Sequence, residues 1–81
     1  MIYVDKRLSD LFQDFFKDNG GMPWSEAGEY SYARTLFRGK VVFKQPFEDG
    51  SFNVGGDGEE QLGEAWGEFV KFLNESEDLN D

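Results

Sequence analysis

The hydrophobic spacing of this chain changes period twice, and that limits its fold more than any other feature. Val4, Leu8, Leu11, Phe12, Phe15 and Phe16 recur at i, i+4, i+7, i+8, i+11 and i+12. At 100° per residue they share one face of an amphipathic helix. Asp5 stands where an acid caps that helix or suits the dipole of its first turn. Asp18-Asn19-Gly20-Gly21 ends it, because Asn or Gly readily supplies the left-handed residue at a helix terminus. From Glu29 the period becomes two. The stretch "YSYARTLFRGKVVFKQPFEDGSFNV" divides into three strands at Arg38-Gly39 and at Asp49-Gly50, the latter a strong type I′ hairpin signal. After "GGDG" the helical period returns, with Leu62, Ala65, Trp66, Phe69, Phe72 and Leu73 on one face and Val70 at its margin.

Two-residue loops set the expected register, with Leu36 opposite Val41 and Phe47 opposite Phe52. One sheet face then carries Tyr30, Tyr32, Leu36, Val41, Phe43, Phe47, Phe52 and Val54, with Arg34 as the exception. The other carries Ser31, Ala33, Thr35, Phe37, Lys40, Val42 and Lys44. Pro46 lacks a ladder donor, so the middle strand is expected to break or bulge there. The predicted fold is α+β: an N-terminal helix, a three-stranded antiparallel meander and a C-terminal helix, with both helices on one sheet face. Gly63 and Gly67 interrupt the last helix at about 1 kcal/mol each relative to Ala, a cost that close approach of another backbone would offset. The residues from 75 to 81 are expected to fray.

A chain of 81 residues is a single domain spanning 1–81, and one this short buries only about 60% of its unfolded surface. Its nine Phe, three Tyr and two Trp supply the dense core it needs. Cysteine and histidine are both absent. Disulfides, thiolate nucleophiles, sulfur-ligated zinc and Ser-His-Asp chemistry are thereby excluded, along with the usual general base near neutral pH. Carboxylate pairs of the glycosidase kind are formally available, but nothing places one in an apolar pocket. No enzyme activity and no cofactor is expected. The charged, short-run N-terminus "MIYVDKRLSD" reads as neither signal peptide nor membrane span, so a cytoplasmic location is expected.

The net charge of −9 is unevenly spread. Residues 1–28 hold five acids and three bases, net −2; residues 29–56 hold three and four, net +1; residues 57–81 hold nine and one, net −8. Nucleic acid and membrane surfaces should repel such a chain, and basic proteins should attract it. Glu60, Glu64 and Glu68 follow at i, i+4 on the polar side of the last helix, about 6 Å apart along its axis. Like charges at this spacing destabilise a helix by a few tenths of a kcal/mol per pair, and only Lys71 is near enough to relieve them. The row is either a solvated face or a surface that competes with DNA for a basic groove. A duplex carries a charge per about 1.7 Å of axis, so a close mimic needs a second row, for which Asp57, Glu59, Glu75, Glu77 and Asp78 are the candidates.

In size, element order and clustered carboxylates, over its whole length, the chain resembles the small acidic inhibitors that bacteriophages encode, including anti-CRISPR and DNA-mimic proteins. The resemblance implies a binding protein in the host cytoplasm that occludes the nucleic-acid entry site of a host complex. It rests on no shared motif and carries over no functional residue.

Other constellations are weaker. Asp49, Ser51, Asn53 and Glu60 fall at positions 1, 3, 5 and 12 of an EF-hand loop, but position 6 is Val54 rather than the Gly its turn demands, so no metal is expected. Trp24, in the connector "MPWSEAGE", is placed to cover a core edge or to anchor a partner. Phe37 and Val42, with Lys40 and Lys44, fall on the sheet face expected to be open. They form an alternative contact surface for an adaptor or immunity-type partner, or for a homodimer.

Overall fold

In the computed structural model, which describes residues 1–25 and 32–79 with side chains through Glu75, the chain opens with a strand rather than a helix. The order is β1 (Ile2–Val4), a single 3₁₀ turn (Lys6–Leu8), α1 (Ser9–Asp18), β2 (Ala33–Phe37), β3 (Lys40–Pro46), β4 (Phe52–Gly55) and α2 (Glu59–Leu79). The class is α+β, with two helices and one antiparallel sheet of four strands in the order β1-β4-β3-β2. The expected three-stranded meander is therefore a four-stranded sheet. Val4 fits the helical series through Leu8, yet Asp5 is extended at ψ 150° and its side chain accepts the Arg7 backbone N–H at 3.0 Å. That cap starts the helical turn after Asp5 and releases Ile2-Tyr3-Val4, three good strand formers, to pair with Val54, Asn53 and Phe52.

A second correction concerns the sheet faces. The β2–β3 register is as expected, with Leu36 opposite Val41 across a turn in which Arg38 and Gly39 both have positive φ. The β3–β4 connection differs. Asp49-Gly50 does not form a two-residue loop. The Phe47 N–H donates to the Ser51 carbonyl, and Glu48, Asp49 and Gly50 form a three-residue loop with Gly50 at φ +95°. Phe52 therefore faces Pro46, not Phe47. One extra loop residue moves every β3 and β2 side chain to the opposite face. Phe37 and Val42, expected on the open face, are fully buried, and Ala33 is buried beside them; Leu36 and Val41, expected in the core, are 42% and 38% exposed. Pro46 is the last residue of β3, where its missing N–H breaks no central ladder.

Both helices cover the face so defined. Phe12 stands edge-on to Phe52 at 5.3 Å and to Trp66 at 5.0 Å, joining α1, the sheet and α2. Phe16 stacks on Phe37, and Leu62 and Trp66 close the core from α2. Full burial of each such side chain stabilises by roughly 1.5–3 kcal/mol. The outer edge of β2 is sealed by the connector: Met22 and Ser25 donate to the Leu36 and Arg34 carbonyls, and Ser25 Oγ accepts the Arg34 N–H. Two further expectations change. Phe72 leaves the core and is largely exposed. Gly67 has nothing within 4 Å, and Gly63 faces only the Ile2 side chain at 3.6 Å, so no backbone approaches either. The helical backbone of α2 is described through Leu79. Tyr30, Ser31 and the side chains of Glu77 and Asp78 lie outside the described residues.

Candidate partner-binding surface

The acid row is a property of α2. Gly58 N–H donates to the Val41 carbonyl, fixing the helix start against β3, and Glu59 and Glu60 occupy the first turn, where the helix dipole favours acids. From that start, Glu60, Glu64, Glu68 and Glu75 fall within an arc of about 80° and all are exposed. Phe72 takes the next i+4 place after Glu68, so an exposed ring interrupts the row before Glu75. Glu59 is turned away, toward the core margin, where the Met1 amino group sits against its carboxylate. Asp57 is exposed in the turn before the helix. The structure thus aligns Glu60, Glu64, Glu68 and Glu75 and sets Glu59 and Asp57 apart; among the described residues there is one row, not two.

Ion pairing leaves the row charged. Among the described residues the salt bridges are Met1–Glu59 and Arg7–Asp5, and Lys71, inside the same arc, reaches no carboxylate. Glu64 and Glu68 form one wall of a groove of about 610 Å³ floored by Phe15 and Phe69, with Arg38 and Asn19 on the far side. Arg38 is held there by its Nε–H bond to the Asn19 carbonyl at 3.0 Å and by the Phe37 ring beneath its guanidinium. Chemically, the row offers a line of negative potential beside a largely polar groove whose far wall carries Arg38.

The alternative surface does not assemble. Phe37 and Val42 are core residues, for the register reason above. Trp24 stacks on Phe16 at 4.8 Å and donates its Nε1–H to Gln13 Oε1, so it covers the core edge. Lys40 is exposed at the turn, apart from Phe37 and Val42 in the core. Lys44 lies half-buried with its ammonium over the Trp24 and Phe52 rings, and burial lowers its pKa. The open face instead carries Tyr3, Tyr32, Arg34, Leu36, Val41 and Phe43. One signal for this was present in the sequence: Arg34 on the face expected to be buried.

Asp49 turns back on its own loop, accepting the Ser51 hydroxyl and N–H, which hold its carboxyl below the usual carboxylate range. Among the described residues no cluster of acids is arranged to hold a metal ion, and no helix is long and apolar enough to cross a membrane. Comparison with known protein families, curated proteins and solved structures returns no match.

Proposed function

We propose that this protein is a non-enzymatic binding protein that acts by occupancy. Its α2 row, Glu60, Glu64, Glu68 and Glu75, enters a basic cleft on a protein or complex that handles nucleic acid and competes there with phosphate. The carrying observation is that four exposed carboxylates share one arc of α2 with no ion pair among the described residues. A helix shaped only for stability would interleave lysines at i+4, and none stands at that spacing from Glu60, Glu64 or Glu68. Lined-up, unneutralised acid supports recognition by long-range attraction, which raises association rates and selects basic partners. The overall likeness to phage-encoded inhibitors in size and charge favours the same reading.

The test is capture from a nuclease-treated host lysate with the native protein and a Glu60→Lys, Glu64→Lys, Glu68→Lys variant whose fold is checked by circular dichroism. A basic nucleic-acid-binding protein should be retained by the native form, lost by the variant, and eluted by salt as screening shortens from about 10 Å at 0.1 M to about 3 Å at 1 M. Equal capture by both forms, or a complex indifferent to salt, removes the acid row from the mechanism.

A further inference from the structure

The sheet face turned away from the helices is uncovered, and it holds a notch. Gly55 lies opposite Phe43 on this face, and a Cβ placed on it meets only the Met1 side chain, at 3.9 Å. Over it opens a pocket of about 370 Å³, walled by Met1, Tyr32 and Phe43 and bounded by the Gln45 and Asn53 amides. Among the described residues Arg34 is the one charged side chain lining it. Its guanidinium lies 5.5 Å from the Phe43 ring centroid and, among the described residues, has no carboxylate within 4 Å. An apolar notch with a cation at its rim is complementary to an apolar plug flanked by acid.

The chain carries such a plug. At 1.5 Å per residue α2 is about 31 Å long, and its packing on the core ends at Phe69 and Val70. Beyond them Phe72 is 64% exposed, with Glu68 at i−4 and Glu75 at i+3 on the same side of the helix. We propose that Phe72 of one copy seats in the Gly55 notch of a second copy, with Glu68 and Glu75 meeting Arg34. The two surfaces are different, so the contact either closes reciprocally into a two-fold pair or runs on head-to-tail from copy to copy. The net charge of −9 keeps it weak, and the local complementarity gives it direction. It also withdraws two acids from the α2 row, although it stands without the proposed function because it is read on purified protein alone.

The experiment is sedimentation velocity at ~0.3 mM protein, suited to a small charged contact with Kd of about 10–100 µM. Native protein should exceed monomer mass. Arg34→Glu alone and Glu68→Arg/Glu75→Arg alone should each weaken association about 30-fold or more, and their equimolar mixture should restore it, because the reversed charges then match. Gly55→Leu, which fills the notch, and Phe72→Ser should stay monomeric, whereas Glu60→Arg/Glu64→Arg should associate at least as strongly as the native chain. Native protein that stays monomeric overturns the proposal. So does association that survives Gly55→Leu or Phe72→Ser, fails to return on mixing, or is lost in Glu60→Arg/Glu64→Arg.

Discussion

Two glycines, one in the β4–α2 connection and one within α2, respond oppositely to a methyl group. Gly56 has φ +110°, and its Cβ would lie 2.7 Å from the Val41 carbonyl oxygen. Strain and collision with backbone combine, and Gly56→Ala should lower stability by about 2–3 kcal/mol. Gly67 is an exposed helical position with nothing nearby, so Gly67→Ala should raise stability by roughly 0.5–1 kcal/mol through backbone entropy alone. Urea midpoints of the two variants, moving in opposite directions, check both. Lys44 gives a pH signature at the same scale. Burial lowers its pKa in the fold, so between that lowered value and the unfolded value of about 10.4 the unfolded chain holds the extra proton. Stability from this group therefore rises with pH across that window and is least below it. Measured against Lys44→Met from pH 7 to 10, the native chain should gain on the variant as pH rises; a gap that is flat with pH removes the buried-ammonium account.

Elements divide according to how local their determinants are. Both helices were legible because Phe12, Phe15 and Phe16, and Leu62, Trp66 and Phe69, repeat at a period that only a helix satisfies. The Arg38-Gly39 turn and the Leu36–Val41 pairing were legible for the same local reason. β1 was not, because three residues show no period and Val4 also fits the helical series. The sheet faces were not, because whether Asp49-Gly50 makes a two- or three-residue loop depends on Ser51 and Asp49 bonding inside the loop. That one residue decides which side of β2 and β3 is the core. The acid row could be read from i+4 spacing alone, whereas the Gly55 notch needed the corrected register. A matched pair of substitutions tests the register directly. Phe37→Ala should cost about 3–5 kcal/mol, as large-to-small changes in a core do, while Leu36→Ala on the open face should cost under about 1 kcal/mol. Thermal unfolding of the two variants would show the reverse order if the faces were as first expected.

Across the whole molecule, packing and charge pull in different directions. Both helices are needed to bury the aromatic face of the sheet, yet α2 brings with it most of the net −9. Repulsion among Glu60, Glu64 and Glu68 is present in the folded helix and diluted in the unfolded chain, so it subtracts from stability. Replacing the middle acid reverses two neighbours at once: Glu64→Lys removes two like-charge i,i+4 pairs and creates two opposite-charge ones. At a few tenths of a kcal/mol per pair, less the repulsion from Arg38 across the groove, the gain should be about 0.5–1 kcal/mol at low ionic strength. Sodium chloride should raise the stability of the native chain and shrink that gain, since screening weakens the repulsion that the substitution relieves. Urea unfolding at low and high salt, read with Glu64→Lys capture from lysate, separates two explanations of the row. A variant that is more stable and also loses its partner shows stability given up for recognition. One that is more stable and keeps its partner shows a solvated face with no such role. A gain that is unchanged by salt would mean that Glu64 acts through packing, and the electrostatic account of the row would fail at its centre.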